Sequence, residues 1–214
     1  MGSILIEAQF FPPIDFLARC VQAETVVIEA HEHFQKGSYR NRCHIATSLG
    51  VQTLSVPLKR GKNSQQTIRE VAISYDAPWQ KQHWQALKTA YGSAPFWEHY
   101  NPVFEKLFTK KYTFLFDLNL DILETFLKIL KLNNSTTISF SSDYIAHFTE
   151  GGDFRNTISP KDNNFESKKY AQIFEDRNVN PMSDYTLNLA QFSNGVYVLK
   201  LSGETTNKTI RLQK

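Results

Sequence analysis

Residues 3–30 read SILIEAQFFPPIDFLARCVQAETVVIEA, and the order of patterns in them decides the fold class. SILIEAQF is a short apolar run of strand character, and Pro12 and Pro13 stop it. TVVIEA is a second run of the same kind. Between them, IDFLARCVQ puts Ile14, Leu17, Ala18 and Val21 on one helical face. Asp15 stands in its first turn, where a negative charge complements the helix dipole. Strand, helix, strand is a β-α-β opening, whose crossover is right-handed if the two strands are parallel. The turn leading into the helix N-terminus is a natural place for an anion or small ligand, and Gln9 stands there.

Working outward, YRNRCHIA and TLSVPL are two strand-like pieces joined by SLGVQ, a plausible hairpin. KRGKNSQQ is a polar loop, and IREVAIS alternates as a strand through Ile68, Val71 and Ile73. PWQKQHWQALKTAYG predicts a helix between Pro78 and Gly92, and FWEHYNPVFEKLFTKK predicts one after Pro102. LNLDILETFLKILKL aligns Leu118, Ile122, Leu123, Phe126, Leu127 and Leu130, with Asn119 as a candidate cap. TTISFSSDY is another strand, and the polar region 149–181 is a surface loop or an ordered lid. YTLNLA, GVYVLKLSG and KTIRLQK close the chain as three short strands. The expected class is α/β: a β-α-β opening with a mixed sheet, a helical subregion and a short C-terminal β appendage. Two units follow, 1–178 and 179–214.

Composition narrows the functional classes. At 214 residues the chain is long enough to bury a sizeable core. Its 16 Phe and 9 Tyr supply aromatic bulk, and a net charge of +3 gives no general attraction to nucleic acid or anionic membrane. Cys20 and Cys43 form neither a CxxC pair nor a disulfide framework. The opening MGSILIEAQFFPP lacks a basic leader segment, and no apolar run approaches the ~20 residues that span a bilayer. The expectation is a soluble cytoplasmic protein.

The chemistry concentrates in HEHFQKGSYRNRCHIAT, 31–47. His31-Glu32-His33 is not the HExxH zinc pattern, and no third ligand is evident, so no metal site is assigned. Lys36, Tyr39, Arg40, Asn41 and Arg42 form a better set, because guanidinium forks grip carboxylates and phosphates. If RNR is extended, Arg40 and Arg42 share a face and repel unless an anionic ligand or an acid lies between them. Glu29, Asp117 and Asp153 are the candidate structural partners, and spacing leaves both readings open. His83 lies four residues after Trp79, consistent with a core-facing helix stripe or with catalysis. There is no GxSxG, Walker loop or GxGxxG, which argues against hydrolase, P-loop and dinucleotide-binding readings and leaves any cofactor unassigned.

QFFPPIDFLARC, EAHEHFQKGSYRNRCHI, LSVPLK, W-x3-HW-x2-L-x2-AYG-x-APFW and FLFDLN, in that order, resemble the WbqC-like family of bacterial proteins. DFRNTISPK and KKYAQIFEDR resemble later blocks of its Bacteroidetes-type members, so the likeness covers residues 1–177. The resemblance implies a role beside O-antigen and other surface-polysaccharide synthesis, as a sugar-modifying or group-transfer enzyme on a phosphorylated or nucleotide-linked substrate. It implies substrate contacts from Gln9, Lys36, Tyr39, Arg40, Asn41, Arg42, Asn119 and Arg155, and candidate catalytic roles for Asp117, Asp153 and His83. A non-catalytic glycan- or nucleic-acid-binding protein is the alternative. The C-terminal strands depart from the family and are similar to the end of a type IX secretion sorting tail.

Overall fold

The computed structural model describes residues 2–60, 63–132 and 136–160, and the backbone of 196–203 and 206–213. Its order is β1 (Ser3–Glu7), α1 (Ile14–Gln22), β2 (Thr25–Glu29), β3 (Arg42–Thr47) and β4 (Gly50–Ser55). After two 3-10 turns come α2 (Trp79–Tyr91), α3 (Trp97–Thr109), α4 (Leu115–Ile129), β5 (Thr137–Phe140) and β6 (Gly151–Asp153). β7 (Val196–Gly203) and β8 (Thr206–Gln213) form an antiparallel hairpin. The content is α/β, as the opening pattern requires. YTLNLA, KKYAQIFEDR and the expected boundary at 178 lie outside the described residues.

A four-stranded parallel sheet in the order β5-β2-β1-β6 carries the architecture. β1 pairs with β2 from Ser3↔Thr25 to Glu7↔Glu29, the register that a β-α-β crossover produces. Ile4, Leu5 and Ile6 are all buried although they alternate between the two faces, so β1 is covered on both sides. Full burial of Ile6 and Ile28 stabilises by about 1.5–3 kcal/mol each. α1 starts where Pro13 ends the extended segment, and Arg19 reaches back one turn to Asp15. Its buried residues are Asp15, Phe16, Ala18 and Cys20; of the expected stripe only Ala18 is buried, while Ile14, Leu17 and Val21 are half-buried.

β3 and β4 form the expected antiparallel hairpin, from Arg42↔Ser55 to Thr47↔Gly50. Three other segments depart from their patterns. IREVAIS is not a strand: Ile68–Glu70 is a 3-10 turn, and Ala72 and Ile73 make only isolated bridges to Phe114 and Leu58. Its apolar residues are buried all the same, which is what the alternation reported.

α3 begins at Trp97 and continues through Pro102 instead of starting after it. Trp97 stacks on Trp84 at 5.7 Å, and this contact holds the first turn against the missing backbone donor. β6 was unforeseen. It pairs with β1 because Gly151 has no Cβ, which would lie 1.8 Å from the Ser3 carbonyl oxygen. No helix among the described residues is long and apolar enough to cross a membrane.

Candidate functional site

β1 and β2 each end in a glutamate, and the register sets Glu7 directly beside Glu29. Both carboxylates are buried, so each needs several donors to replace water. Glu29 takes four: the Ser141 hydroxyl at 2.7 Å, the backbone N–H of His31 at 2.9 Å and of Ile145 at 3.1 Å, and Arg155 Nη1 at 3.2 Å. Glu7 accepts from Gln9 Nε2 at 2.8 Å and from the Asn156 N–H at 3.0 Å. Ligands of open α/β sheets bind at this carboxyl end of the strands.

A third carboxylate, Glu32, lies just beyond β2. Arg40 grips both of its oxygens, with Nε to Oε1 at 2.7 Å, and the same guanidinium donates to Asn156 Oδ1 at 2.9 Å. Burial pushes the Glu32 pKa above the ordinary carboxylate value; Arg40 opposes the shift, and the charges of Glu7 and Glu29 add to it. Arg155 makes the second fork. Its Nε and Nη2 hold Asp153 at 3.0 and 2.6 Å, Nη1 also reaches the Ile145 carbonyl at 2.6 Å, and the guanidinium lies over Tyr144. This fork holds the Asp153 carboxyl below its usual range.

These contacts frame a cavity of about 1080 Å³, with segment 31–36 on one side and Tyr144, Asp153, Arg155 and Asn156 on the other. Glu32 lines it although nearly buried, and Glu7 and Glu29 are buried nearby and do not line it. Lys36 is exposed, with no carboxylate partner among the described residues, and sits beside Gly37, whose φ of 81° turns the chain. His31 and His33 also line the cavity. Among the described residues no group of three or more His, Cys, Asp and Glu could hold a metal ion.

The structure brings Lys36, Asp153 and Arg155 together at this cavity and places Arg40 just beneath it. Gln9 is buried behind, bonded to Glu7. RNR is not extended: Arg40 lies in a turn and is buried, while Arg42 opens β3 and is half-buried, so the two do not share a face. The partner of Arg40 is Glu32, not Glu29, Asp117 or Asp153. Asn119 caps nothing. It lies inside α4, and its amide donates to the carbonyls of Arg40 at 2.8 Å and Ala8 at 3.4 Å.

Tyr39 is buried edge-on against His44, and the Asn41 amide donates to the Val56 carbonyl. Asp117 is exposed in the first turn of α4 and does not line the cavity. His83 is also outside it, packed among Phe10, Trp79 and Phe108. Burial lowers its pKa to about 4 against a backbone hydrogen bond to Ser55 that works the other way.

Sequence reasoning missed Glu7, Glu29, Glu32 and Asn156 as site residues. The available signal was the pair of apolar runs SILIE and TVVIE, each closing on a glutamate. A charge ending a buried strand needs partners, and the partners mark the site.

A 90-residue stretch is 29% identical to a Mycobacterium tuberculosis protein described as uncharacterized, covering 42% of this chain and 38% of that one. The match thus spans well under two thirds of that curated relative. No solved structure matches the chain. The model of the WbqC-like protein family matches residues 8–175, which include α1 to β6 and every residue lining the polar cavity but not β1. With that match spanning well over half of its 214 residues, the chain belongs to the WbqC-like protein family.

Proposed function

We propose that this protein is a cytoplasmic sugar-modifying or group-transfer enzyme of bacterial surface-polysaccharide synthesis, of the O-antigen type, acting on a phosphorylated or nucleotide-linked sugar. The observation that carries this reading is the mixed charge of the 1080 Å³ cavity, lined by Lys36 and Arg155 together with Glu32 and Asp153. A sugar phosphate complements both signs, with hydroxyl donors at one end and an anionic group at the other. Lys36 holds the phosphate as a compact charge, and Arg155 and the His31 and His33 rings supplement it. Asp153 and Glu32 accept from sugar hydroxyls. Glu32 is the acid–base candidate, because burial raises its pKa above the ordinary carboxylate value.

The test is a thermal-shift screen of the full chain against nucleotide sugars, sugar phosphates and acyl donors, repeated with Lys36→Ala. Lys36 is exposed, so its removal leaves the unliganded melting temperature unchanged. A stabilising sugar ligand whose effect weakens in the variant supports the reading. No stabilisation by any phosphorylated sugar removes its basis.

A further inference from the structure

A second cavity, of about 360 Å³, shares no lining residue with the first. It opens between the β1–α1 turn, β3 and helices α2 to α4. No Asp, Glu, Lys or Arg lines it. A charged ligand would lose its hydration there without compensation, so the occupant is uncharged.

The wall has a definite shape. Trp97, Trp84, Phe108 and Phe11 stack in sequence, with centroid separations of 5.7, 5.6 and 5.6 Å and interplanar angles of 24°, 26° and 13°. Trp97, Trp84 and Phe11 of this column face the cavity. Phe11 enters the wall at φ 43°, and Phe96, just before Trp97, stands at φ 65°. This conformation is uncommon for bulky residues, and here it brings rings from distant segments to one place.

Tyr100 lies at the mouth, 37% exposed, and His44 supplies a polar edge. Burial and the nearby Arg42 charge both favour the neutral imidazole, which offers one donor and one acceptor. Trp97 and Phe108 cover both faces of Trp84, so a ligand meets this column from its edges, beside the exposed Tyr100 ring. Edge-to-face contact with a hydrogen-bonding edge and no charge suits a flat heterocycle better than a flexible chain. We propose that this aromatic cavity is a binding site for an uncharged planar ring, a purine or similar heteroaromatic group.

The proposal does not depend on the reading of the polar cavity. Trp84 and Trp97 are two of only three tryptophans, so indole emission reports directly on occupancy. The experiment titrates the full chain with adenosine and, separately, with 1-octanol. Adenosine is expected to change the emission saturably. Ala94→Phe, which fills the cavity, and Tyr100→Ala, which removes the exposed ring, each weaken it by about tenfold, the order of one stacking contact. Lys36→Ala alters only the polar cavity and leaves the titration as it is, which separates failure of one site from failure of the other. Absence of saturation, unchanged affinity in Ala94→Phe, or octanol binding as tightly as adenosine would each overturn the assignment.

Discussion

Arg40 and Glu32 meet in a two-pronged ion pair beneath the polar cavity, and both are almost sealed from solvent. Such a pair contributes little net stability over an apolar replacement, yet it is costly to break from one side. With Asn156 on the same guanidinium, it ties segment 31–40 to the turn after β6. The pair is therefore a brace for the cavity wall, and Arg40 reaches a ligand only through Glu32.

Removing Arg40 alone is expected to leave Glu32 buried beside Glu7 and Glu29 without its cation and its two donors. Arg40→Met should cost about 3–5 kcal/mol in urea unfolding. Arg40→Met combined with Glu32→Met should cost less than the sum of the two single changes. A single substitution costing below about 1 kcal/mol would show that the brace is not what holds this wall.

His83 gives the fold an acid limit. Its pKa is lowered to about 4, so the folded state favours neutral imidazole and the unfolded chain binds the extra proton first. The stabilisation is complete above the ordinary histidine value of 6.5 and is lost as pH falls toward 4, roughly 3 kcal/mol in all. Glu32, with its pKa raised, acts in the opposite sense: its contribution is present in acid and lost as pH rises through the folded value. The difference between wild type and His83→Phe isolates the histidine. The variant's stability curve should be flatter between pH 4 and 6.5, and parallel curves would refute this origin.

Gly151 is a backbone requirement of the sheet edge. Both the added Cβ and the Ser3 carbonyl oxygen it would meet are fixed to backbone, so neither can swing away. Gly151→Ala should cost about 1–3 kcal/mol and speed amide exchange along β6. An unchanged melting temperature would mean that β6 can leave β1 without loss.

Arg155 fastens the β5–β6 connection to the strand ends through Glu29, Asp153 and the Ile145 carbonyl. Arg155→Met should cost about 1–3 kcal/mol, since Glu29 keeps three of its donors, and should speed proteolysis within residues 142–150. Arg155→Lys should fail to restore protection, because an ammonium cannot span the same fork. Full protection in the lysine variant would reduce Arg155 to a point charge.

Local pattern reached far along this chain. α1 and α2 were legible from apolar spacing and bounding prolines, and β1, β2 and the β3–β4 hairpin from β-branched runs and turn residues. These signals act between near neighbours, so the sequence displays them. IREVAIS misled because alternation reports burial, and burial here comes without a ladder partner. Pro102 misled because the packing of Trp97 on Trp84 outweighs one missing hydrogen bond.

The sequence by itself determined the β-α-β opening, the α/β class, and the presence of Lys36, Arg40, Asp153 and Arg155 as chemically capable side chains. Only the tertiary structure decided which of them face a cavity. Arg40 has its nearest carboxylate eight residues away and a further partner, Asn156, 116 residues away. Asn119 crosses 79 residues to the Arg40 carbonyl. Charge pairing and burial depend on distance in space, and a linear pattern carries no record of that distance until the sheet register brings Glu7 and Glu29 side by side.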